Sequence, residues 1–135
     1  LGVDGSASND SGNLLNEARQ ALYLQRVNET NNFYLNARNV LWLATAGGAI
    51  ALNRDDIGSI KVGNCADFAI YDSTSLELAG SVEDPLGGLI FCGPLKTRWT
   101  ICNGQIISEN NNIKNISIED TINQHNSLSK KLINS

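Results

Sequence analysis

Apolar residues recur at helical spacing in two stretches of the first half of the chain. From Asn13 to about Val27, leucines and alanines return every three or four positions, a pattern that predicts an amphipathic helix. The same spacing predicts a second helix from Phe33 to Ile50. The Gly47-Gly48 pair inside that stretch predicts either the end of the helix or a close approach to a neighbouring element.

The periodicity changes after Asn53. Apolar and polar residues alternate from Ile57 to Asn64, and a compact apolar run follows from Ala66 to Tyr71, so we expect a strand, a turn at Gly63-Asn64 and a second strand. Pro85 suits the first position of a short helix within residues 81–93.

The last third of the chain carries the clearest turn signal. Asn103-Gly104 separates two β-prone runs and predicts a hairpin with a type I′ turn, because both residues accept a positive φ. The asparagine-rich stretch 109–115 is predicted to be a linker. Ser117 then marks a capped start of a terminal amphipathic helix that carries Ile122 and Leu128 on its apolar side.

Composition narrows the class of protein. The 135 residues are 41% hydrophobic and 18% charged with a net charge of −4, values typical of one soluble globular domain. The acidic balance and the lack of a basic cluster argue against nucleic acid and anionic membranes as partners. No apolar run is long enough for a transmembrane span. Three cysteines without a Cys-x-x-Cys motif favour buried thiols in a reducing cytoplasm.

Asp4 is the main candidate for chemistry. It follows Leu1-Gly2-Val3, which we interpret as the end of a strand, and precedes a loop of small polar residues. Catalytic groups collect at the carboxyl ends of strands in parallel α/β folds, where a carboxylate can bind a metal and exchange a proton with water. The alternative is that Asp4 caps the following turn through its side chain. Ser6 and Ser8 in the same loop either contact a substrate or shape the turn.

Three further residues are weaker candidates. Asp67 lies within an apolar run and suggests a structural hydrogen bond at a turn. Cys92 is better explained as a packed thiol than as a nucleophile, since no histidine is near it in sequence. His125, the single histidine, is expected on the surface of the terminal helix, and one imidazole cannot build a multi-histidine metal site.

Several segments together resemble one enzyme superfamily. They are LGVDGSASND at residues 1–10, ATAGGA at 44–49, DIGSIKVGNCADFA at 56–69, FCGP at 91–94 and NGQII at 103–107. The chain resembles the amidohydrolase superfamily along essentially its whole length. Within it, the similarity is strongest to 8-oxoguanine deaminases and hydroxytriazine aminohydrolases.

The resemblance implies an α/β fold, the C-terminal end of a (β/α)₈ barrel with part of a small β-sandwich and a terminal helix. Residues 1–54 would supply the last barrel strand and its helices, residues 55–113 part of the sandwich, and residues 114–135 the helix. It also implies one divalent metal, zinc or alternatively iron, with Asp4 as a metal ligand that also transfers a proton. The other ligands, histidines in this family, are missing from this chain.

The implied function is hydrolytic deamination of a purine-like ring of the 8-oxoguanine or guanine type, with a small heterocycle as substrate. We expect the chain to be a fragment, inactive without the N-terminal part of the barrel, from a cytoplasmic enzyme that is a possible homo-oligomer. One alternative is an amino- or chlorohydrolase acting on triazines. Another is a stand-alone, non-catalytic interaction module.

Overall fold

The computed structural model describes residues 1–28, 34–93 and 95–134. These residues form two compact units, Leu1–Cys65 with Asp72–Leu95 and Ala66–Tyr71 with Lys96–Ser135. The predicted boundaries at residues 54 and 113 stay predictions. The first unit takes in residues 55–65 and 72–95, because these segments make their contacts with the helical part of the chain.

Helix α1 spans Leu14–Val27, as the apolar spacing predicted. The side-chain oxygen of Asn13 caps it by accepting hydrogen bonds from the N–H groups of Leu15 at 3.0 Å and Asn16 at 3.3 Å. Such a cap satisfies backbone donors that have no partner within the first turn. Ala18 and Leu22 on the inner face of the helix are fully buried.

The predicted second helix is in fact two helices. Helix α2 spans Ala37–Ala44 and α3 spans Ala46–Ala51, while Phe33 lies outside the described residues. The break falls at Thr45, whose ψ of −92° is not helical. The glycine pair lies inside α3 instead of ending it. A Cβ on Gly47 would lie 3.2 Å from the ring of Trp42, which agrees with the close-approach explanation.

Helix α4 completes the core of the first unit. It spans Pro85–Phe91 with proline at its start, as predicted, and the carboxylate of Asp84 accepts the N–H of Gly87 at 2.9 Å. A 3₁₀ turn at Leu76–Leu78 precedes it. The buried cluster joins α1, α2 and α4 through Ala18, Leu22, Ala37, Val40 and Ile90.

The second unit contains a four-stranded antiparallel sheet in the order β1-β2-β3-β4. The strands are β1 at Phe68–Ile70, β2 at Trp99–Cys102, β3 at Gln105–Glu109 and β4 at Asn112–Ile113. The Asn103-Gly104 hairpin is confirmed, since both residues have positive φ, 48° and 76°. The predicted sandwich stays a prediction, because the described residues contribute this one sheet.

Three strand and loop predictions are wrong. Residues 57–64 form a closed loop instead of a strand, and Ile60 and Val62 are almost fully exposed at 86% and 107%. Residues 1–3 form no strand. Both segments lack a neighbouring edge among the described residues, and a strand needs such an edge to satisfy its backbone. The predicted linker 109–115 instead contains a turn at Asn110-Asn111, both with positive φ, and then β4.

Helix α5 spans Ile118–Ile133, as predicted from its cap. The Ser117 side chain accepts the N–H of Asp120 at 3.2 Å. No residue of α5 is buried. None of the helices in the described part of the chain has the length and apolar character of a bilayer-spanning segment.

Candidate functional site

Asp4 lies at a sharp change of backbone direction. Its φ of 61° is in the left-handed region, where aspartate is one of the few residues other than glycine found with any frequency. Its Oδ1 atom accepts the N–H of Gly5 at 2.7 Å, and the residue is exposed. The carboxylate therefore makes a turn contact, as one alternative predicted, and still presents an accessible oxygen for a second partner.

Ser6 and Ser8 lie within a hydrogen-bonded turn that begins at Gly5. The N–H groups of Ser8 and Asn9 donate to the carbonyl of Gly5 at 2.9 and 3.0 Å, and Ser6 and Ser8 are both exposed. Ser8 lines an open concavity of about 700 Å³ between this loop and α1. Asp4 and Ser6 are not among its lining residues, so the structure brings only Ser8 of the three to this concavity.

The concavity contains charged groups that sequence reasoning missed. The amide of Asn9 donates to Glu17 Oε1 at 2.6 Å, which ties the loop to the first turn of α1. Arg19 lines the same space and its Nε donates to the carbonyl of Ile90 at 2.6 Å. The polar side of an amphipathic helix is the only sequence signal for these residues, and it is shared by most surface helices.

A second polar cluster closes the loop 54–65. Arg54 donates from Nε to Asp56 Oδ1 at 2.8 Å and from Nη2 to Oδ2 at 2.5 Å, and the Cys65 thiol donates to Oδ2 at 3.3 Å. The Arg54 bonds, followed by the Cys65 bond, lower the pKa of Asp56 from 3.8 to about 2. The same pairing raises the pKa of Arg54. Because the ion pair is about half exposed, solvent screening keeps its contribution to stability small, and its role is to hold the loop locally.

The weaker candidate residues lie in different environments. Asp67 Oδ1 accepts the N–H of Asn103 at 2.7 Å, which confirms the predicted structural bond at a turn. His125 is exposed on α5, as predicted. The prediction of buried thiols is wrong for Cys92 and Cys102, which are exposed, whereas Cys65 is half-buried. Cys92 is the C-cap residue of α4, and its N–H donates to the carbonyl of Gly88.

A metal would need more ligands than this site offers. Across the described ranges, no three histidine, cysteine, aspartate or glutamate side chains converge in a way that could hold an ion. An exposed carboxylate such as Asp4 suits a divalent metal as one oxygen donor, but zinc takes three or four protein ligands. The described residues alone therefore do not form a metal site, and the role of Asp4 as a ligand stays a prediction.

Comparison with known proteins assigns the family. The model of the amidohydrolase family matches residues 1–120, and the chain belongs to this family. It is 47% identical over 92 residues to the 8-oxoguanine deaminase of Pseudomonas aeruginosa, an alignment that covers 68% of this chain and 20% of that protein. It is 38% identical over 115 residues to the hydroxydechloroatrazine ethylaminohydrolase of Pseudomonas sp. strain ADP, with 82% and 24% covered.

Solved structures agree with this assignment. The zinc complex of atrazine chlorohydrolase from Arthrobacter aurescens TC1 superposes with a TM-score of 0.82 at 35% identity and covers 92% of this chain and 28% of that one. The zinc-bound adenosine deaminase of Xanthomonas campestris gives a TM-score of 0.84 at 26% identity, with 97% and 30% covered. The predicted superfamily is thus confirmed. The chain spans about a fifth of the length of the 8-oxoguanine deaminase and about a quarter of the length of the ethylaminohydrolase.

Proposed function

We propose that this chain forms part of a hydrolytic deaminase that acts on a purine-like ring, with 8-oxoguanine or guanine as the substrate class. The observation that carries the proposal is the 47% identity to an 8-oxoguanine deaminase. In this proposal the chain is the C-terminal end of a (β/α)₈ barrel with part of a sandwich. The complete enzyme is cytoplasmic, and the described residues alone are inactive because they lack most of the metal ligands.

Asp4 is the catalytic residue in this proposal. Its exposed carboxylate is one ligand of a divalent metal, zinc or alternatively iron, and histidines outside this chain supply the rest. A divalent metal lowers the pKa of water toward neutrality. Asp4 takes a proton from the attacking water and passes it to the amino nitrogen. The new C–O bond replaces the C–N bond, and the nitrogen leaves as ammonia.

Ser6 and Ser8 are proposed to contact the substrate. Their hydroxyls are exposed in the loop directly after Asp4, and a hydroxyl can both donate to and accept from ring nitrogens and carbonyl oxygens. Ser8 has the stronger support, because it already lines an open concavity.

A second candidate is hydrolysis of a triazine ring. It is supported by the 38% identity to an ethylaminohydrolase over 115 residues and by the fold shared with atrazine chlorohydrolase. Triazines and purines both contain the amidine-like carbon that such chemistry requires. The two candidates differ in the leaving group, which is ammonia for the purine and an amine or chloride for the triazine.

The decisive experiment measures ammonia, amine and chloride release by the complete metal-loaded protein. We expect ammonia from 8-oxoguanine or guanine, and a fall in kcat/KM of at least ~100-fold for Asp4→Asn, as for loss of a general base. Asp55→Asn removes an exposed carboxylate elsewhere in the first unit and should leave the rate unchanged. Turnover of triazines alone would favour the second candidate, and no turnover of either class would favour a non-catalytic module.

A further inference from the structure

The hairpin between β2 and β3 turns at Asn103-Gly104, the one place in the sequence where glycine follows asparagine. Both residues are exposed. Because glycine has no Cβ to shield its backbone nitrogen, an asparagine followed by glycine is the sequence in which the asparagine side chain deamidates most readily. The hydrolysis proposed for Asp4 does not involve this turn, so its chemistry is a separate question.

Deamidation of Asn103 would begin when the backbone nitrogen of Gly104 attacks the side-chain carbon Cγ of Asn103. A new bond between this nitrogen and Cγ replaces the bond between Cγ and Nδ2. The amino group leaves as ammonia and takes up the proton that the Gly104 nitrogen loses, and the product is a cyclic succinimide. Water then opens the ring at either carbonyl and gives aspartate or isoaspartate. Water is the only co-reactant.

Two acceptors in residues 66–67, directly before β1, hold this turn closed. The N–H of Gly104 donates to the carbonyl of Ala66 at 2.9 Å, which stabilises the attacking nitrogen in its protonated, unreactive form. The N–H of Asn103 donates to Asp67 Oδ1 at 2.7 Å, and a carboxylate is a stronger acceptor than a neutral oxygen. All four residues belong to the second compact unit.

The backbone conformation also separates the two reacting atoms. Asn103 and Gly104 have φ of 48° and 76°, as in a type I′ turn. Ring closure requires the Gly104 nitrogen to eclipse Cβ of Asn103, which is a large rotation about the Cα–C bond away from the turn conformation. The turn must therefore open locally before the nitrogen can reach Cγ.

We propose that Asn103 is a deamidation site that Ala66 and Asp67 keep closed in the folded protein, so that it reacts when β1 separates from β2. An isoaspartate at this position lengthens the main chain of the turn by one carbon. The two-residue loop fixes the register of β2 and β3, so the modified turn should no longer close in the same way. The reaction would therefore weaken the hairpin.

The first test compares the folded protein with a synthetic peptide of residues 99–109 in the same buffer at neutral pH. Mass spectrometry follows deamidation of Asn103, and reference peptides with aspartate or isoaspartate at this position identify the products. The two hydrogen bonds should make the folded protein react at least about tenfold more slowly than the peptide. Equal rates overturn the proposal. Asn103→Gly keeps a residue that accepts positive φ and should show no mass gain in this segment.

The second test removes the Asp67 acceptor. Asp67→Ala should raise the rate in the folded protein about fivefold, whereas Asp67→Asn retains an acceptor oxygen and should keep most of the protection. Hydrogen exchange should become faster at Gly104 and stay unchanged in the rest of β3. Equal deamidation rates in wild type and Asp67→Ala overturn the role of Asp67. A rate that rises only together with exchange throughout β3 also overturns it, because the sheet itself would then have been lost.

Discussion

Gly58 is the position where the structure makes the most demanding prediction about a single substitution. Its φ of +79° is in the region that only glycine adopts readily. A Cβ at this position would lie 2.9 Å from the Cβ of Ala49 and 3.0 Å from both the Cα of Ala46 and the carbonyl oxygen of Thr45. These atoms belong to the backbone or to its first side-chain carbon, so no rotamer change can move them away.

The cost of Gly58→Ala has two parts. An L-residue in the left-handed region costs about 1–2 kcal/mol, and inserting a methyl group into a packed contact costs about 1–3 kcal/mol. We therefore expect the free energy of unfolding to fall by about 2–5 kcal/mol. Gly63→Ala is the matched control. Gly63 also has a positive φ, +95°, but a Cβ there would meet no atom within 4 Å, so only the backbone part applies.

The measurement is native-state hydrogen exchange of α3 combined with urea unfolding of the two variants and the wild type. Exchange reports the local stability of the contact between Gly58 and the start of α3, and urea midpoints report the global effect. We expect Gly58→Ala to lose at least ~1 kcal/mol more than Gly63→Ala, the lower bound of the packing part. Equal losses in the two variants would refute the proposed contact with α3.

Three further substitutions test the core, a cap and the ion pair. Leu22→Ala removes a side chain that is fully buried and should cost about 2–5 kcal/mol in urea unfolding. Leu24→Ala on the same helix removes one that is 65% exposed, so similar losses would contradict the assigned core. Asp84→Ala removes the cap of α4 and should cost about 1 kcal/mol, whereas Asp84→Asn, which can still accept the bond, should recover most of it. Because the folded-state pKa of Asp56 is lowered from 3.8 to about 2, its pairing with Arg54 stabilises the fold fully above pH 3.8 and is lost as the pH falls toward 2. Asp56→Asn should therefore slightly flatten the pH dependence of the unfolding midpoint between pH 4 and 2, and an unchanged slope would show that the pair does not contribute to stability in solution.

Signals confined to a few neighbouring residues were predicted well from the sequence. The cap at Ser117, the start of α4 at Pro85 and the hairpin at Asn103-Gly104 all depend on bonds or backbone conformations within about four residues. The same is true of helices α1, α4 and α5, whose spacing or caps lie within their own segments. The missed turn at Asn110-Asn111 belongs to this class as well, since two adjacent asparagines favour positive φ. The asparagine-rich composition of residues 109–115 also fits a linker, which is the prediction that the structure corrects.

The candidate site was predicted only in part. Asp4 and its loop follow from the order of apolar and small polar residues, but the role of Asp4 stays a proposal. The concavity beside Ser8 depends on Arg19 and Glu17, which the helical pattern marks only as a polar face. The described residues do not form a metal site by themselves, so the proposed metal centre cannot be derived from this sequence alone.

By itself, the sequence determined where most helices start, where the hairpin turns and to which family the chain belongs, because these features depend on neighbouring residues and on recurrent motifs. The tertiary structure decided the break at Thr45, the loop at 57–64 and the pairing of Asp67 with Asn103. Each of these depends on whether a distant segment offers a partner. An alternating pattern becomes a strand only beside an edge that accepts its hydrogen bonds, and Ile60 and Val62 have no such edge among the described residues.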